Sequence, residues 1–174
     1  MNKGTKASKP TTDVKTEIGQ LVKKNNLILC LECGKCSAVC PMLEFYGEYS
    51  YDRSPRGVVE RLLLEPEKID DEALWYCLAC QECTFSCPSG VDFQNFMIEL
   101  REYLIEHGYK KYALFCPLCG GYLMPKKEFE YFQKNPDTGK VSELLTICPR
   151  CKKTNYVDTL YRLAPLQKSL KKAS

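Results

Sequence analysis

The chain has 174 residues, 44% of them hydrophobic, a formal net charge of +3 and twelve cysteines. That length suits one ordinary domain with a small appendage, and the cysteine count excludes a plain apolar globule. The N-terminal stretch MNKGTKASKPTTDVKTEIGQ lacks the apolar core of a signal peptide, and no apolar run approaches the roughly 18 residues of a membrane span. The expectation is therefore a soluble cytoplasmic protein whose cysteines bind metal rather than form disulfides.

In chain order, residues 1–12 form a basic tail carrying Lys3, Lys6 and Lys9. A helix is predicted from about Asp13 to Lys24, with Val14, Ile18, Leu21 and Val22 on one side. The next segment, CLECGKCSAVCP, places Cys30, Cys33, Cys36 and Cys40 before Pro41. Thirty-six residues then separate Cys40 from Cys77 and read as helix. Ser54 is a good N-cap, Pro55 fits the first helical position, Val58, Val59, Leu62 and Leu63 recur at helical spacing, and Pro66 stops the run. Asp70 and Asp71 open a second short helix through Ala73, Leu74 and Trp75. It delivers CLACQECTFSCP, with Cys77, Cys80, Cys83 and Cys87 before Pro88. The helix beyond is capped by Asp92, carries Phe93, Phe96, Met97, Leu100 and Leu104 as one stripe, and ends at Gly108.

The repeated C-x2-C-x2-C-x3-C-P pattern is that of a two-cluster ferredoxin, in which three thiolates of one motif hold a 4Fe-4S cluster and the fourth reaches to the other. On that rule Cys30, Cys33, Cys36 and Cys87 hold the first cluster, and Cys77, Cys80, Cys83 and Cys40 the second. Gly34 lets the backbone pass close to sulfur. Two zinc sites are the plainer alternative, but zinc favours separated cysteine pairs over a run of four.

These motifs, together with SPRGVVERLLL, ALWYCLACQECTFSCPSGV and the helix that follows, cover residues 13 to 108 and resemble the C-subunit family of heterodisulfide reductase. The resemblance implies an α-helical ferredoxin that wires a flavin-containing subunit to a catalytic disulfide-reducing subunit in a hetero-oligomer. It carries over the eight cluster cysteines and no catalytic residue. The same architecture occurs in iron–sulfur subunits of succinate and glycerol-3-phosphate dehydrogenases.

The remainder departs from that pattern. FCPLCGGYLM and TICPRCKKTNYV pair Cys116 with Cys119 and Cys148 with Cys151, the spacing of a zinc ribbon or a rubredoxin. Zinc is favoured over iron because Lys152 stands where a rubredoxin-like knuckle carries glycine. NPDTGK at 135–140 reads as a hairpin turn between FEYF and VSELLTI. The expected organisation is mainly α: a helical dicluster ferredoxin over 13–112, a small β zinc-ribbon-like unit over 113–158 and a basic tail over 159–174.

Other residues have plainer readings. The lone His107 suits a polar helix terminus. The aromatic residues Phe115, Tyr122, Phe129, Tyr131 and Phe132 fill a thin core and face a protein partner rather than stack on bases. Arg53 and Arg56 sit between the motifs, where they hydrogen-bond near a cluster, bind an acidic partner or lie in solvent. Loading the sites, each about −2 when oxidised, turns the formal +3 into about −3, so nucleic-acid binding is not favoured. With every expected metal held by four cysteines and no nucleotide fingerprint, the sequence describes a non-catalytic electron-transfer subunit. Its alternatives are a free-standing dicluster ferredoxin and a redox-sensing nucleic-acid-binding module.

Overall fold

Helix α1 (Thr12–Lys24) buries Val14, Ile18 and Val22 at four-residue intervals and places Lys23 and Lys24 in its last turn, where the helix dipole favours cations. The computed structural model describes residues 12–135 and 144–170, and the chain divides into two compact units, residues 1–112 and 113–174. The basic N-terminal stretch before residue 12 and most of the NPDTGK turn lie outside the described residues, as do 171–174 at the C-terminal end.

Within the first unit, a 3-10 turn at Leu27–Leu29 buries Leu27 and hands the chain to Cys30. Two short helices follow, α2 (Lys35–Ala38) and α3 (Met42–Tyr46), the latter ending on Gly47 at φ 71°. Helix α4 (Pro55–Leu64) begins as the sequence predicts: the Ser54 hydroxyl accepts from the Gly57 N–H at 3.0 Å, and Pro55 occupies the first turn. Val58, Val59 and Leu62 are buried, whereas Leu63, expected beside them, is 42% exposed. Gly57 is required here by contact, because a Cβ would lie 1.9 Å from the Tyr51 carbonyl oxygen.

The short helix expected after Asp71 is a 3-10 helix, Glu72–Trp75, capped where the Asp71 carboxylate accepts from the Ala73 N–H at 2.8 Å. Helix α5 (Glu82–Phe85) repeats α2 in the second motif. Helix α6 (Phe93–Glu106) starts with Asp92 accepting from the Asn95 N–H at 3.2 Å and buries all five residues of the expected stripe. Trp75, Tyr76, Ile18, Leu27, Met42, Leu62, Ile69 and Leu74 complete the core around that stripe. A polar strap joins α1 to α6. The buried Asn25 amide donates to Glu99 at 2.9 Å and receives Asn95 at 2.7 Å, while its carbonyl accepts from the Asp92 N–H at 3.0 Å.

The second unit begins with an antiparallel hairpin, β1 (Ala113–Phe115) and β2 (Tyr122–Pro125), pairing Leu114 with Met124 across a register irregularity next to Phe115. FEYF, expected as extended chain, instead lies in helix α7 (Lys126–Lys134), an amphipathic segment with Lys127 and Glu130 at 3.9 Å one turn apart. Helix α8 (Pro149–Leu170) runs without a break through residue 158, where the sequence placed a boundary. The second cysteine pair thus opens a helix rather than a second β knuckle. Pro149 is suited to a first helical turn, and no glycine interrupts PRCKKTNYV.

Candidate metal centres

The two four-cysteine motifs share one backbone conformation. Glu32 and Ala79, at matching positions, adopt φ of 51° and 50°; Gly34 and Gln81 follow at 76° and 74°. Each left-handed residue then caps a one-turn helix: the Ala38 N–H donates to the Gly34 carbonyl at 3.1 Å, and the Phe85 N–H to that of Gln81 at 3.0 Å. A Cβ at Gly34 would meet nothing within 4 Å. Gly34 thus has room for a Cβ among the protein atoms, and its φ of 76° is one that favours glycine.

Helices α2 and α5 pack together, bringing the motifs side by side. One open hollow is lined by Cys30, Cys33, Cys36 and Cys87, with Gly34 and Arg56 in its wall. Cys40 lies within electrostatic reach of Cys77 and Cys80 and, more weakly, of Cys36; Cys83 lies within reach of Cys77, Cys80, Cys36 and Cys40. Burial, reinforced by these neighbouring sulfurs, pushes Cys83 up to about 12 and Cys40 up to about 11; burial also raises Cys36. At Cys87 burial acts upward, but donors at Ser89, Gly90 and Val91 outweigh it and lower the thiol's pKa. Among them the Val91 N–H lies 3.4 Å from its sulfur. The bare thiols of Cys36, Cys40 and Cys83 thus resist ionisation unless a cationic centre takes their protons' place.

Helix α6 holds the second loop at two points. Gln94 donates from its side chain to the Ala79 carbonyl at 2.7 Å, while its backbone N–H meets Thr84 Oγ1 at 3.0 Å. Arg101, only 6% exposed, donates to the Cys77 carbonyl at 2.5 Å and to that of Leu74 at 3.2 Å. Sequence reasoning passed over Arg101, although its place four residues after Met97 and three before Leu104 sets it on the buried face. Of the two arginines between the motifs, Arg56 lines the first hollow and pairs with Glu32 at 3.0 Å. Arg53 turns to the core edge, 4.1 Å over the Tyr76 ring and 2.9 Å from Glu48. His107 stacks on Tyr103 with centroids 4.0 Å apart and bonds the Tyr103 carbonyl at 2.9 Å, a helix-end role.

In the second unit, Cys116, Cys119, Cys148 and Cys151 bring their sulfurs within 4.8 Å of one another. A tetrahedron of thiolates at the zinc–sulfur distance has edges of roughly 3.8 Å, so the set matches a single ion. No other group of such side chains among the described residues converges so tightly. The hairpin supplies the first pair: the Cys116 N–H donates to the Gly121 carbonyl at 2.8 Å, and Gly120 turns at φ 70°. The first turn of α8 supplies the second. The Cys148 N–H, 3.5 Å from the Cys116 sulfur, is the main influence lowering that thiol to about 6, whereas hydrogen bonding among the sulfurs, first to Cys148, raises Cys151 to about 12.

Residues 26–91 match the family described as a 4Fe-4S dicluster domain. Over 103 residues the chain is 27% identical to a protein of Archaeoglobus profundus that is like the C subunit of heterodisulfide reductase, covering 58% of this chain and 54% of that protein. It is 26% identical over 86 residues to the C subunit of the ferredoxin:CoB-CoM heterodisulfide reductase of Methanosarcina mazei, covering 49% and 51%. The chain carries a 4Fe-4S dicluster domain over residues 26–91 and is similar to C subunits of heterodisulfide reductase. A probable glycolate oxidase iron–sulfur subunit of Bacillus subtilis is also similar, 30% identical over 112 residues, with 61% of this chain and 24% of that protein covered. The chain thus spans about half the length of the heterodisulfide reductase relatives it matches. No helix among the described residues is long and apolar enough to cross a membrane.

Proposed function

We propose that this dicluster protein relays electrons within a heterodisulfide-reductase-type complex, between a flavin-containing subunit and a catalytic disulfide-reducing subunit. The observation that supports the reading is that Cys87 lines one hollow with Cys30, Cys33 and Cys36 while Cys40 lies within electrostatic reach of Cys77 and Cys80. Cys30, Cys33, Cys36 and Cys87 hold one 4Fe-4S cluster, and Cys77, Cys80, Cys83 and Cys40 the other. When bound, such clusters supply one-electron acceptance and donation. Four thiolates per cluster leave no position for substrate, so the chain's residues bind, insulate and tune rather than catalyse. Leu31 and Phe85, 69% and 79% exposed on the two motif loops, give each loop an apolar outer surface suited to a protein partner.

The C-terminal set holds one zinc as a closed structural site, because four converging thiolates with no open position stabilise a fold without doing chemistry. The test is composition together with activity. Anaerobically prepared protein should contain about eight irons, eight labile sulfides and one zinc, and should accept electrons from a strong reductant without turning over a disulfide. Four irons, or brisk turnover by the isolated chain, would sink the reading.

A further inference from the structure

Two arginines approach the two cluster cradles, and their surroundings differ. Arg56 in the first cradle keeps its side chain 31% exposed and is paired with Glu32, itself 67% exposed. Water and that carboxylate weaken its field at the sulfurs. Arg101 at the second is buried, and its planar group is spent on the backbone carbonyls of Leu74 and Cys77 with its carbon 5.7 Å from the Trp75 ring centroid. Among the described residues no carboxylate lies within ion-pair distance of it.

A guanidinium remains protonated under all ordinary conditions. Its charge is therefore fixed, close to a cluster ligand's own backbone and poorly screened. We infer that Arg101 tunes the second cluster, its unneutralised charge favouring the state with one more electron. The reaction it biases is simple: the cluster gains one electron from a one-electron donor, no bond forms or breaks, and no proton moves. A positive charge nearby stabilises the product by Coulomb attraction in a medium of low effective dielectric. The asymmetry with Arg56 makes the second cradle the deeper resting place for an electron. This inference rests on the proposed assignment of Cys77, Cys80, Cys83 and Cys40 to the second cluster.

Arg101→Gln removes the charge while keeping hydrogen-bond donors; Arg101→Lys keeps the charge while losing the planar fork. Redox titration of the full chain under electron paramagnetic resonance reads each cluster, the second being identified by the signal that Cys80→Ser alters. Arg101→Gln should shift the second cluster at least tenfold toward its oxidised form, equivalent to about 59 mV for one electron. Arg101→Lys should recover most of that shift, and Arg56→Gln should move the first cluster less than threefold. A second-cluster change below twofold in Arg101→Gln, with both clusters present, would overturn the inference alone. Absence of clusters from the unaltered protein would overturn the relay reading with it. If Arg101→Gln fails to assemble, Arg101→Lys decides: a second cluster within twofold of the parent supports the charge, while a tenfold drop with charge retained assigns Arg101 to loop geometry and defeats the proposal.

Discussion

The two units of this chain solve the same problem in opposite ways. The first wraps its cysteine loops around a core containing Trp75, Tyr76, Phe96, Met97, Leu100 and Leu104, and five of its eight motif cysteines sit at intermediate exposure on the rim. The second has almost no core. Its buried residues among those described are Ala113, Cys116, Pro125 and Cys148, so half of them are metal-site cysteines. Helix α8 exposes Tyr156, Leu160, Tyr161 and Leu163. On the proposed assignment, one unit folds and then offers ligands, while the other folds because its ligands meet.

The largest effect should therefore come from a ligand in the second unit. Cys148→Ser removes a buried sulfur from the four-thiol set, and a structural zinc of this type contributes about 10–16 kcal/mol of apparent binding free energy to folding. Hydrogen exchange should lose protection across β1, β2 and the start of α8 while α1 and α6 remain protected. Retained protection in the hairpin would erase the contrast between the units.

The corresponding change in the first unit should be local. Cys87→Ser takes one sulfur from the hollow lined by Cys30, Cys33 and Cys36, and should disturb the cluster of the first motif while leaving that of the second. The hydrophobic core does not include Cys87, so exchange protection in α4 and α6 should persist. Spectroscopy showing the disturbance at the cluster of Cys77, Cys80 and Cys83 would break the crosswise pairing, and unfolding of α6 would show that this unit also depends on its metal.

Sequence made the first unit legible because its signals are local and redundant. Ser54 with Pro55, Asp71 and Asp92 mark helix starts by chemistry that needs no tertiary partner, and the stripe from Phe93 to Leu104 has an unambiguous helical period. Short α3 and the buried Arg101 were not legible. A five-residue helix carries too few positions for periodicity, and a lone arginine in an apolar face finds its acceptors only when the Leu74 and Cys77 carbonyls arrive from another element. In the second unit cysteine spacing identified a candidate four-ligand set but not its frame. A C-x2-C pair fits either a β knuckle or the first turn of a helix, and the glycine-free PRCKKTNYV takes the helical option.

The smallest expected effect tests how much the first-unit loops owe to the metal and how much to their backbone. Gly34 and Gln81 occupy matching places at nearly the same positive φ, yet one is glycine and the other carries a side chain. Space is not the difference, since a Cβ at Gly34 meets nothing within 4 Å. Gly34→Ala should then cost only the left-handed conformation, about 1–2 kcal/mol. For a unit of about 100 residues each kcal/mol corresponds to a thermal midpoint lowered by about 4–8 °C. Iron and sulfide content should be unchanged, because the loop retains the shape that Gln81 already supports in the second motif. Loss of the first cluster in Gly34→Ala would mean that backbone must approach sulfur closely at this point when the cluster is bound. The glycine would then belong to the metal centre rather than to the turn, and the equivalence of the two loops would end at that position.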